Sequence, residues 1–321
     1  MLFACLMAGL LLLAPKGMAA EHDHCICGGS VDAGDHVTCK NETWEAVRIS
    51  NNKITVTDGG HYYLSGNTAA SLTVDSKIEV TICLNGYRLQ AQCPIMVYGG
   101  GVVNICDCQE TGVIRATNPN NAKGTAMLIS SSAAYVGTVN MYSGTIDGIA
   151  GSAGQVCRAV EVKGGIFNMY GGQIKNGLSD GSITSDSKPG YGGNVYVYNN
   201  AGKMGCFTMY GGTVTGGRAS ENGGNIYALD GQVTVHGGYV TDGDIYLETA
   251  STASLTASAV EKCPIYAGCK EMYLDMNGCD LSGLTVGGTV YAYDTKTDEY
   301  LGDYAGRLTY TANCGTVVAL N

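Results

Sequence analysis

The chain has 321 residues, 48 of them glycine, which is about twice the usual share, while charged residues make up 14% against the usual quarter. Five prolines are too few for a collagen-like or disordered Pro-Gly tract. A formal net charge of −10, with no basic patch interleaved by aromatics, excludes nucleic acid and anionic membrane surfaces as partners.

Residues 1–20 read as a signal peptide. The apolar run Leu2–Ala14 is too short to cross a bilayer, and Gly17-Met18-Ala19-Ala20 suits cleavage near Ala19 or Ala20, although no Lys or Arg precedes the run. No later apolar stretch reaches spanning length, so no integral membrane segment is expected. The expected location is extracellular, secreted or surface-associated. Of 14 cysteines all but Cys5 follow the leader, an odd number that predicts disulfides with one thiol left over or paired between chains. Cys263 and Cys269 bracket a short loop and form the best local pair. Cys83, in ICLNG, and Cys106, in NICDC, stand about one coil apart and form a second candidate pair.

Residues 21–50 differ from the rest. His22, His24, Cys25, Cys27, His36 and Cys39 precede Trp44, the only tryptophan. Two readings stand: a structural zinc held by four of these side chains, or a disulfide-supported cap over the open end of a solenoid. The tight Cys25-x-Cys27 spacing matches no standard finger. No other cofactor is expected.

From 51 to 270 the chain repeats. VNMYSGTIDG begins at Val139, FNMYGGQIKNG at Phe167, FTMYGGTVTGG at Phe207 and VTVHGGYVTDG at Val233, at intervals of 28, 40 and 26 residues. Within each phrase Val139/Met141, Phe167/Met169 and Phe207/Met209 alternate with Asn140/Tyr142, Asn168/Tyr170 and Thr208/Tyr210. Period two is the strand period, and Gly-Gly pairs would disrupt a helix. A phrase that returns only after a whole coil predicts a parallel β-helix with like residues stacked on like. Asn194, Asn225 and Asp244 fall at matching positions, as a corner ladder requires. Residues 271–321, richer in Asp and Tyr, are expected to form a small separate β unit or the opening of a second module.

The HxHCxCGG start, the lone Trp, HYYLSG, CLNG, NICDC and the MYGGTVTG repeats resemble exported repeat proteins of anaerobic gut bacteria. These are similar in turn to the right-handed parallel β-helix (pectin-lyase-like) superfamily. The GGN[VI]Y phrases are also similar to the GGA[IV] repeats of polymorphic outer-membrane adhesins, with Asn in place of Ala. The resemblance implies an all-β, right-handed solenoid, and a surface-displayed, adhesin-like role. Enzymes of that superfamily carry Asn-x-Asp, Asp-Asp, Gly-His-Gly and Arg-x-Lys motifs; the last three are missing from this chain. No catalytic residue is therefore assigned, and the chain is expected not to be an enzyme.

The tyrosines carry the functional expectation. There are 21, against 3 phenylalanines, and in the repeats they take the outward parity. Tyr142, Tyr170, Tyr210 and His236 predict one external column, and Tyr196, Tyr227 and Tyr246 another. Such columns suit a glycan or host-surface ligand, or they stabilise neighbouring strands and nothing more. The expected function is a binding module. The alternatives are a stalk without a ligand and a polysaccharide lyase or glycoside hydrolase. Oligomeric state is not legible.

Overall fold

A computed structural model describes residues 43–117, 124–148, 156–180, 190–296 and 307–320. The leader and the cluster of His22, His24, Cys25, Cys27, His36 and Cys39 lie outside the described residues. The rest is almost entirely strand, with one helix, Ala257–Val260, among the described residues.

The strands form three sheets, which we call I, II and III, of 12, 14 and 6 strands. Sheet I runs from Trp44–Ala46 to Thr316–Ala319, sheet II from Arg48–Ser50 to Leu308–Ala312, and sheet III from Arg88–Ala91 to Tyr239–Thr241. Nearly all neighbours are parallel. The exceptions are the hairpin of Arg48–Ser50 with Lys53–Thr55 and the pairing of Leu178–Ser179 onto Val156–Lys163. From Glu79 to Leu247 the chain visits sheets I, III and II in rotation, so each coil lays one strand on each sheet.

Register explains why the repeats look alike. Val139 pairs with Phe167, Phe167 with Phe207 and Phe207 with Val233, which are the intervals of the sequence phrases. These residues and Met141, Met169, Met209 and Val235 are buried in one continuous apolar core, where Phe167 and Phe207 stack at 5.8 Å. Burial of such rows is the main stabilising term of a solenoid, because each coil rests only on its neighbours. The corner after each sheet I strand needs glycine. Gly172, Gly212 and Gly238 have φ of +82°, +85° and +82°, and a Cβ on Gly212 would stand 2.5 Å from the Gly172 carbonyl oxygen. The second corner ladder forms as the spacing predicts. Asn194 Nδ2 donates to Asn225 Oδ1 at 2.9 Å, and the Gly223 and Gly224 amides donate to Asp244.

Two expectations are corrected. The segment from 271 onward does not stand apart: Glu271–Asp275, Thr289–Tyr293 and Thr316–Ala319 extend sheet I, and Leu281–Val286 and Leu308–Ala312 extend sheet II, all in parallel register. Its unlike appearance has a physical source. Among the described residues sheet III has ended, the buried helix Ala257–Val260 packs against its last strand, and from there the described strands alternate between sheets I and II.

The disulfide pairs are the second correction, since the structure closes none among the described cysteines. Cys263 and Cys269 flank the extended strand Ile265–Ala267. Cys263 Sγ donates to the Gly243 carbonyl at 3.0 Å, and both thiols are free. Burial pushes their thiols up, to about 12 for Cys263 and about 11 for Cys269. Cys83 and Cys106 are register partners, both buried, without a disulfide between them.

Candidate functional site

The outer face of sheet I carries two side-chain columns. The first sits just beyond each strand, where the turn presents a ring to solvent. Tyr142 stacks on Tyr170 at 5.0 Å with planes 9° apart, Tyr170 on Tyr210 at 4.9 Å and 5°, and Tyr210 on His236 at 5.2 Å and 19°. All four residues expected in this column are in it. Their ring faces, however, lie against one another, so what the middle of the stack offers solvent is ring edges and hydroxyls. Burial, with the neighbouring Tyr210, raises the Tyr170 phenol above its usual range.

The second column runs two residues earlier in each strand and consists of amides. Asn168 Nδ2 donates to Asn140 Oδ1 at 2.9 Å, Asn140 Nδ2 to Asn104 Oδ1 at 2.9 Å, and Asn104 Nδ2 to Glu79 Oε1 at 2.8 Å. In-register stacking, with strands about 4.8 Å apart, is what lets each amide reach the next.

Both columns lead into one cleft of about 380 Å³ near the N-terminal end of sheet I, lined by Asp58, His61, Glu79, Asn104, Asn140 and Tyr142 among others. Asp58 Oδ1 accepts the Glu79 amide at 3.0 Å, which fixes the turn residue against the strand. The His61 ring meets Trp44 edge to face at 5.2 Å. Two carboxylates, an imidazole, two amides and a phenol thus converge on a small concave surface. Asp58, His61 and Glu79 were not expected from sequence, because the first coils are the least regular. The readable signal was Asn104, Asn140 and Asn168, each two residues before the column position that Tyr142 and Tyr170 occupy.

On sheet II the second tyrosine column forms, but it does not lie open. Tyr196, Tyr227, Tyr246 and Tyr266 are register partners on the outer face, yet Tyr196 and Tyr227 are 1% and 0% exposed. Their cover is the chain around Leu178–Ser179 and Tyr191. Tyr191 packs on Tyr227 at 4.8 Å, and the Arg158 guanidinium lies 4.4 Å from the Tyr196 ring centroid. Arg158 is itself wholly buried. Its Nε and Nη2 donate to the Tyr191 and Gly192 carbonyls and to Ser179 Oγ, and it faces Glu161 at 3.9 Å. Tyr198 donates to Glu161 Oε1 at 2.6 Å, and burial together with that carboxylate raises the Tyr198 phenol far above its usual range. Tyr246 is partly exposed, its phenol pushed up to about 12 by burial and by Tyr266. Arg158 was legible only as part of a strand, CRAVEV, and nothing local names its partners.

A larger cleft, about 660 Å³, lies beside this buried layer, lined by Met96, Leu128, Glu161, Lys163 and Tyr198 among others. No group of three or more His, Cys, Asp or Glu side chains among the described residues is placed to hold a metal ion. No helix among them is long and apolar enough to cross a membrane. No family model matches the chain, and neither a curated protein nor a solved structure matches it.

Proposed function

We propose that this chain is an exported right-handed parallel β-helix that binds a glycan, of the kind displayed on a host surface, in the sheet I cleft. Right-handed winding is the hand taken by nearly all strand–crossover–strand connections within one parallel sheet. The observation that carries the binding reading is the convergence of the amide column and the terminal tyrosine of the stack on one concave surface. A pyranose has apolar C–H faces and a rim of hydroxyls. Tyr142 supplies a ring for the first, and Asn104, Asn140, Glu79 and Asp58 supply donors and acceptors for the second.

This moves the contact from the length of the tyrosine column to its N-terminal end, because the faces of the middle rings are used by their neighbours. The test is a glycan array and mucin retention assay on the mature chain. For any glycan retained, Tyr142→Ala is expected to weaken binding about tenfold, whereas Tyr210→Ser leaves affinity unchanged. Equal affinity in Tyr142→Ala and the parent, with circular dichroism unaltered, rejects the cleft as the site.

One observation favours a second reading, a stalk with no ligand: rings stacked at 4.9–5.2 Å with nearly parallel planes are themselves a strand-to-strand brace. On that reading the Tyr170→Ser/Tyr210→Ser pair lowers the melting temperature and no glycan is retained. A polysaccharide-degrading activity at Asp58 and Glu79 predicts release of reducing ends or unsaturated products from a polysaccharide panel.

A further inference from the structure

At the foot of the aromatic stack stand three sulfurs. Cys83 and Cys106 are register partners on adjacent sheet I strands, and the residue after Met141, whose partner is Ile105, begins the tyrosine column. Cys108 lies one residue beyond Asp107, where the chain turns the corner. Its sulfur comes back over the preceding coil, 3.5 Å from Cys83 Sγ and 3.5 Å from Asn85 Oδ1. The corner is held rigidly. Asp107 accepts the Gly86 amide at 2.7 Å and the Gly112 amide at 2.5 Å, while its own amide donates to Ser143 Oγ at 2.7 Å. Cys106 Sγ, which also hydrogen-bonds Cys83, lies 3.8 Å from the Ile82 carbonyl oxygen.

We propose that Cys83 and Cys108, not Cys83 and Cys106, form a disulfide that ties one coil to the next when the chain meets a disulfide oxidant. Closing the bond draws together sulfurs already in contact, from 3.5 Å to about 2.05 Å. The protonation of the pair suits exchange. The Cys106 thiol hydrogen bond, foremost, lowers Cys83 to about 5, and burial, then the Cys83 charge, raises Cys108 to about 12. One proton is therefore held between two sulfurs at neutral pH.

Cys83 is buried and Cys108 partly exposed, so the oxidant meets Cys108 first. Cys108 attacks a disulfide RSSR, its proton passing to the Cys83 thiolate, and RS⁻ leaves. Cys83 then gives that proton to RS⁻ and attacks Cys108 Sγ, expelling the second RS⁻. Two protein sulfurs are oxidised, one disulfide is reduced to a thiol and a thiolate, and the charge is unchanged.

The full chain, purified reduced, is treated with glutathione disulfide, alkylated with maleimide and digested with trypsin. Cleavage after Lys77, Arg88 and Arg115 places Cys83 in peptide 78–88 and Cys93, Cys106 and Cys108 in peptide 89–115. The expected result is a cross-linked pair of these peptides, lighter by two hydrogens, with Cys93 and Cys106 alkylated after denaturation. The link persists in Cys106→Ser and disappears in Cys108→Ser, both checked for native circular dichroism. A link mapped to Cys93 or Cys106, or alkylation of both Cys83 and Cys108 in the treated parent chain, overturns the proposal. Should Cys108→Ser misfold, fragment-ion mapping of the parent's linked peptide decides among Cys93, Cys106 and Cys108 on its own.

Discussion

Arg158 is the residue on which the sheet II surface turns. It is wholly buried, it contacts Tyr196 through the ring face, and it donates to the backbone of the segment that covers that ring. Replacing it with Met takes away the cation that faces the buried Glu161 carboxylate. Removing one partner of a buried charge pair costs about 3–5 kcal/mol, whereas removing both is far milder. Arg158→Met is thus expected to lower the unfolding free energy in urea by that amount and to expose tyrosines in solvent-perturbation absorbance. Arg158→Met/Glu161→Gln recovers most of the loss. A single variant as stable as its parent would mean the covering segment is held by other contacts. The sequence placed Tyr196 and Tyr227 on the outward parity correctly. It could not report that a second layer lies over them, since parity fixes the face of a sheet and not what packs on that face.

At the scale of elements, the same divide separates what could be read from what could not. The column Val139–Phe167–Phe207–Val233 was visible because each coil repeats its neighbour's side chains, and coil length varied only in loops between strands. The strands of 271–319 look foreign in sequence because the Gly-Gly corner after the sheet I strand and the sheet III strand are lost together. The pairing of Met272 with Ala253 and of Leu274 with Leu255 was not visible in any shared phrase. This has a direct test. A chain ending at Lys270 removes the neighbour that covers Ala253 and Leu255, and in a solenoid stability is a sum of such nearest-neighbour interfaces. The truncated chain is expected to melt earlier and to aggregate. An unchanged midpoint would restore the view of a separate unit. The cleft shows the same limit: Asp58 and Glu79 sit on different coils, brought together by a backbone hydrogen bond that no spacing rule announces.

Across the whole molecule the tyrosines act in one direction. Burial is the leading cause that raises Tyr170, Tyr198, Tyr227, Tyr246 and Tyr293, Tyr246 to about 12 from a usual value of 10.0. A phenol whose folded value is raised favours the protonated form. Its contribution is complete below about pH 10, where the unfolded chain is also protonated, and is lost as pH rises toward 12. The tyrosines' share of the stability should therefore fall steeply between about pH 10 and 12 as tyrosinate accumulates. Urea titrations with tyrosinate absorbance measure both. A flat profile through pH 11 would show that the rings ionise as freely in the folded chain as in the unfolded one.

The amide row from Asn168 to Glu79 has a sense of direction. Each asparagine in it gives its hydrogen toward the amino-terminal coil, and Asn140, Asn104 and Glu79 receive from the carboxy-terminal one, so the individual dipoles add instead of cancelling. Glu79, an acceptor, terminates the row where it must, at the positive tip of that summed dipole. Turning any one amide around would set two oxygens facing each other on one side and two NH₂ groups on the other, so the row is an all-or-nothing arrangement with a built-in polarity. The two ends of this surface are thus electrically distinct.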